Sequence, residues 1–109
     1  MKTPLDDDLG RFAEPSLLIL TSLAEGPRHG YALIKDIDGF AGVALGPGTL
    51  YGALGRLEKR GLIRALEASE RRRPYELTDA GAATLRRQLA SMRAVADVGL
   101  GRLAPARTA

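Results

Sequence analysis

The sequence predicts a mainly α-helical protein with one small β-hairpin and a long closing helix. Three observations carry this. Apolar residues recur at helical spacing in successive stretches up to residue 60. Residues 62–77 break that period into two short apolar runs on either side of the polar, charged stretch EASERRR. From Leu85 to Leu103 apolar side chains return every three or four residues. A short amphipathic helix followed by a basic hairpin is the working end of a winged helix-turn-helix. The expected class is therefore mainly α with a small β-hairpin: a winged helix-turn-helix plus a long C-terminal dimerisation helix. Residues 1–78 would form the DNA-binding domain with its N-terminal helix, 79–103 the dimerisation helix, and 104–109 a disordered tail.

The elements follow in order. Leu5, Leu9 and Phe12 fall at helical spacing behind Asp6, Asp7 and Asp8, and acidic residues suit a helix N-terminus, so residues 5–12 read as a short leading helix. Pro15 suits the first turn of a second helix reaching about Ala24. Leu17, Leu18, Ile19, Leu20 and Leu23 make it apolar on nearly every side, as a central buried helix should be. Gly26-Pro27 stops it. A third helix starts near Arg28 or His29 and continues to about Phe40, burying Leu33, Ile34 and Ile37. Val43 and Leu45 plug the core from the following loop. Pro47 opens a helix to about Arg60, with Leu50, Leu54 and Leu57 on one face and Thr49, Gly52, Arg56, Lys59 and Arg60 on the other. Gly61 ends it. Leu62–Leu66 and Pro74–Leu77 are the hairpin strands, with Pro74 at a strand start because it cannot donate to a ladder. Thr78 and Asp79 cap the last helix.

Composition narrows the function classes. The 109 residues fit one domain. There is no cysteine, hence no disulfide framework and no zinc-thiolate site, which suits a reducing cytoplasm. The acidic N-terminus does not read as a signal peptide, and no apolar run approaches the roughly 20 residues of a membrane span. In the first 27 positions Lys2 and Arg11 face five acidic residues, a balance of −3. With +3 overall, the remainder carries +6, a footprint for an anionic partner or a merely solvated face. Enzyme readings lack parts. With one histidine and no cysteine, no nucleophile–base pair is available and His29 alone cannot hold a metal. No catalytic residue, metal or cofactor is expected.

The segments GPRHGYALIKDI, GPGTLYGALGRLEKRGLI and RRRPYELTDAG, in that order, resemble the PadR family of bacterial transcriptional regulators. The match runs from near Ile19 to about Leu85, and the length is similar to the short subfamily with one C-terminal helix. The resemblance implies a homodimeric repressor that binds a near-palindromic operator in double-stranded DNA, in the cytoplasm and associated with the nucleoid. It also implies a possible small aromatic effector near the dimer interface, since such ligands release DNA in some relatives. Three departures stand out. Pro74 replaces a frequent basic or aromatic residue, Gly55 replaces a polar or charged one, and there is no tryptophan of the kind some relatives use to sandwich flat drugs.

The candidate DNA contacts are His29, Tyr31, Thr49, Tyr51, Arg56, Lys59, Arg71, Arg72 and Arg73. Thr49 and Tyr51 lie in the first turn of the helix that enters the groove. There a threonine meets a base edge or phosphate and a tyrosine hydroxyl reaches a phosphate. Thr49 reads equally as a plain helix cap, and Tyr51 as partly packed on the previous helix. Gly52 admits either close DNA approach or tight helix packing. Lys59 and Arg60 are phosphate contacts, or solvated, or paired with Glu58 or Glu67. Three adjacent arginines on a hairpin tip favour a nearby anion, unless Glu67 and Glu70 quench them. His29 is a helix cap or a phosphate contact through the HGY motif. The dimer interface would take Leu85, Leu89, Met92, Ala96, Leu100 and Leu103 from the last helix and Leu5, Leu9 and Phe12 from the first, unless the seam packs back on its own chain. An effector would lie between those two sets. Two other classes remain open: a winged-helix protein-interaction module whose arginines meet an acidic partner, and a ligand-sensing protein with secondary DNA binding.

Overall fold

The core is built around α1, Pro15–Leu23, which packs against every later helix and the second hairpin strand. The computed structural model describes residues 14–67 and 73–105. After α1 come α2, Gly30–Ala41; α3, Pro47–Lys59; β1, Ile63–Ala65; β2, Tyr75–Leu77; and α4, Asp79–Leu103. The expected leading helix with Leu5, Leu9 and Phe12, and the hairpin tip with Arg71 and Arg72, lie outside the described residues.

Sequence dictates these segments in simple ways. Pro15 occupies the start of α1, where its missing N–H costs nothing. Leu18, Ile19, Leu20 and Leu23 are all buried, so α1 is wrapped nearly all round. Its one buried polar side chain, Ser22, donates to Asp36 Oδ2 at 2.6 Å and is thereby satisfied. Leu33 and Ile37 of α2, and Leu50, Ala53, Leu54 and Leu57 of α3, close on α1 from two sides. Each fully buried leucine or isoleucine contributes about 1.5–3 kcal/mol of transfer free energy. Val43 and Leu45 pack against this cluster from the loop between α2 and α3.

The hairpin is antiparallel, with Ile63 opposite Leu77, Arg64 opposite Glu76 and Ala65 opposite Tyr75. Arg64 Nε and Glu76 Oε2 meet across it at 2.6 Å. Pro74 lies just outside β2 and uses only its carbonyl, which accepts from the Leu66 amide at 2.8 Å.

Element ends differ from the sequence expectation where backbone is recruited from afar. Arg28 belongs to no helix, because its amide and carbonyl exchange hydrogen bonds with Tyr75 and add a one-residue bridge to the sheet. His29 becomes the N-cap of α2, its Nδ1 accepting from the Ala32 amide at 3.4 Å. Ala24 and Arg60 are C-caps rather than helical residues. The last helix has 25 residues and buries only Gly81 and Leu85. The rest projects away from the core and stretches the molecule to 65 × 34 × 21 Å. No helix among the described residues is long and apolar enough to cross a membrane.

Candidate nucleic-acid interface

The site is the face of α3 opposite the core. Gly46 is its N-cap and supplies no side-chain bond, so the first amides of the helix are left to the outside. Thr49 sits inside the first turn rather than at the cap, and it is exposed. That removes the plain-cap alternative for this residue. Gly52 meets only the Arg56 guanidinium, at 3.6 Å from where a Cβ would stand, so tight helix packing does not explain it. Arg56, Lys59 and Arg60 are exposed and form no ion pair with another described residue. Pairing with Glu58 or Glu67 is therefore not what holds them.

Tyr51 stands beside this face, 55% exposed. Its hydroxyl end lies over Gly30, the first residue of α2: a Cβ at Gly30 would overlap the hydroxyl and stand 2.9 Å from Cζ. Glycine at position 30 thus makes the seat for a tyrosine twenty-one residues later. Tyr31, 66% exposed, flanks it with the Lys35 ammonium 5.7 Å from its ring centroid. These aromatics bring the HGY and GTLY motifs together on one surface. His29 is turned to the α2 cap, which favours the structural side of its two readings.

Arg73 is exposed where the hairpin loop enters β2 and is the member of the arginine run that falls within the described residues. Two residues on, Tyr75 is buried in the core cluster. Burial pushes its phenol above the ordinary value, the nearby Glu58 carboxylate adds to that shift, and Arg73 opposes it. Arg28 locks this corner, donating to the Ser22 carbonyl at 3.2 Å and pairing with Glu25 and, at 3.7 Å, with Asp36.

The seam assigned to α4 divides. Leu85 is buried in the core of its own chain, so at that position the seam packs back on its own chain. Leu89, Val95, Leu100 and Leu103 are exposed, Met92 is half-buried and Ala96 is open. An open groove between α1 and α4 is lined by Glu14, Leu17, Arg87, Gln88, Met92 and Ala96 among others. Of the residues expected around an effector, Met92 and Ala96 line it, Leu89 lies outside it, and Leu5, Leu9 and Phe12 fall outside the described residues. Sequence reading also missed Gly30, Gly81 and Arg28. The only signal for the glycines was their place within the HGY and TDAG motifs.

Comparison with known proteins places this geometry. The model of the transcriptional regulator PadR-like family matches residues 19–87. A protein of transposon TN4556 from Streptomyces fradiae, 37.1 kDa and uncharacterized, is 49% identical over 82 residues, which is 75% of this chain and 24% of that protein. The chain thus spans about a quarter of that relative's length. A PadR family transcription regulator from Clostridium difficile shares 27% identity and superposes with a TM-score of 0.74 over 83% of this chain and 98% of that one. A transcriptional regulator from Clostridium thermocellum gives 28% identity and a TM-score of 0.70, covering 83% and 92%.

Proposed function

The chain belongs to the PadR-like family of transcriptional regulators, a family of regulators rather than enzymes, and from that membership we propose that it is a homodimeric repressor reading a near-palindromic operator in double-stranded DNA. The observation that carries the reading is the outward face of α3. It offers Thr49, Tyr51, Arg56 and Lys59 to solvent while Leu50, Leu54 and Leu57 anchor the same helix in the core. Such a helix enters a major groove by its first turns. Arg71, Arg72 and Arg73 on the hairpin reach the flanking backbone or minor groove, and Tyr31 reaches a phosphate beside α2.

Residues 79–103 act as the dimerisation element. Leu89, Val95, Leu100 and Leu103 are left in solvent along a helix that extends far past the core, and a second copy is the ordinary cover for such a seam. Two copies place their recognition helices about 34–36 Å apart, in successive major grooves. An aromatic effector seated between α1 and α4 would release DNA by changing that separation. The protein works in the cytoplasm on the nucleoid.

The test is selection of bound sequences from a random duplex pool, followed by affinity for the selected site over a salt series. A two-half-site sequence bound tightly, and weakened when Arg71, Arg72 and Arg73 become alanine, is the expected result. A pool that never converges overturns the reading.

A further inference from the structure

A single hydroxyl ties the end of α3 to the start of α4. Thr78 Oγ1 donates to the carbonyl of Gly61, the residue after the α3 C-cap, at 2.7 Å. The same oxygen accepts from the Gly81 amide in the first turn of α4 at 3.0 Å. The Thr78 amide donates to the Leu62 carbonyl at 3.1 Å. That carbonyl in turn presses against Gly81. A Cβ there would overlap its oxygen, stand 2.9 Å from its carbon, and lie 3.1 Å from Leu77 Cδ2. The obstacle at Gly30 is the tip of an exposed tyrosine, which can swing aside. The obstacle at Gly81 is backbone, which cannot. Gly61 itself has φ +75°, and Leu62 donates back to the Leu57 carbonyl of α3 at 3.0 Å. The end of α3, the base of the hairpin and the foot of α4 are therefore one rigid joint.

We propose that Thr78 and Gly81 are positioning residues for DNA recognition: the joint they form fixes the angle between α3 and α4, and through it the spacing of the two half-sites the dimer reads. This rests on the homodimeric DNA-binding reading above. Relieving a Cβ at Gly81 requires the foot of α4 to withdraw by on the order of 1 Å. Over the first two turns of the helix, about 11 Å, that is a tilt of about 5°. Each recognition helix sits about 17 Å from the dyad and moves by about 1.5 Å. The two together move by about 3 Å, close to the ~3.4 Å rise of one base pair.

The experiment uses the full chain and the two-half-site duplex that the wild type selects, rebuilt with the half-sites moved in one-base-pair steps. Wild type, Gly81→Ala, Thr78→Val and Thr78→Ser are titrated against the set, with dimer mass and unfolding measured alongside. Wild type is expected to lose about tenfold for a one-base-pair change in either direction, because both half-sites no longer engage at once. Gly81→Ala moves the optimum by one base pair. Thr78→Val, which removes both side-chain bonds at constant shape, flattens the dependence, and Thr78→Ser restores it. Losses equal at every spacing and in step with lost stability would overturn the proposal, leaving the joint a fold contact only. A clear wild-type optimum retained unchanged in Thr78→Val would also overturn it while leaving the functional reading intact. A wild type that selects no two-half-site DNA overturns that reading, and the proposal with it. Should Gly81→Ala fail to fold, the Thr78 pair decides.

Discussion

Gly30→Ala separates the placement of Tyr51 from the stability of the fold. The new methyl overlaps the Tyr51 hydroxyl and stands 3.3 Å from Leu50 Cδ2. Tyr51 is half exposed and swings outward, whereas Leu50 is fully buried and yields only slightly. Moving the ring to ordinary contact displaces the hydroxyl by on the order of 1–2 Å. That is enough to lose a hydrogen bond whose donor–acceptor distance must stay within about 2.5–3.0 Å. A bond from this hydroxyl to a phosphate is a bond to a charged group, and at an exposed edge it contributes about 1.5 kcal/mol. The expected loss of operator affinity is then about tenfold. Stability changes far less. Alanine for glycine in a helix gains up to about 1 kcal/mol, and crowding of Leu50 costs a similar amount, about 1 kcal/mol or slightly more. The assay is fluorescence anisotropy on the selected operator, with denaturant unfolding run in parallel. Tyr51→Phe should match Gly30→Ala, and the double variant should bind no worse than either alone, since both remove the same contact. Additive losses would refute the reasoning, because Gly30 would then act on something other than Tyr51. So would wild-type affinity in Gly30→Ala beside a weakened Tyr51→Phe.

Three further outcomes are expected. Replacing Arg71, Arg72 and Arg73 with alanine should weaken binding to all DNA sequences alike and lower the salt slope by about 3, read from affinities at several salt concentrations. Leu100→Lys combined with Leu103→Lys should convert dimer to protomer in sedimentation, since both side chains stand in solvent on α4 and neither belongs to the core; the helical circular dichroism signal should persist. Tyr75 contributes a pH dependence of definite sign. Its folded-state pKa is raised above the ordinary 10.0, so its stabilisation is complete below that value and is lost as pH rises through the raised one. Tyr75→Phe should therefore flatten the alkaline limb of a stability–pH curve, and an unchanged limb would count against burial as the cause.

Much of the architecture was legible because periodicity is local. Leu50, Leu54 and Leu57 repeat at the spacing of one helix face, and all three are buried. Thr78 followed by Asp79 announces a cap, and Thr78 Oγ1 takes the Gly81 amide as a cap does. The seat of the site was less legible. In a linear reading Gly30 and Gly81 are merely weak helix formers. Their purpose is close approach, to a tyrosine in another helix and to a carbonyl in the hairpin, and neither neighbour is near in sequence. Arg28 reads as the start of a helix until Tyr75 claims its backbone.

Leu85 shows where the boundary lies. Its place in a run of three- and four-residue steps establishes that it is on the apolar stripe of α4, and the sequence alone determines that stripe because side-chain direction follows from helix geometry. Which partner covers each point of the stripe is a different matter. The first turns of α4 lie against α1, so Leu85 is enclosed by its own chain, while Leu89, Leu100 and Leu103 run past the end of the core and stay in solvent. By itself the sequence determined the helices, the hairpin and their apolar faces, through forces that act within a few residues. Only the tertiary structure decided which of those faces close on each other, and where two glycines let backbones meet, because those contacts depend on distances between segments that no local period encodes.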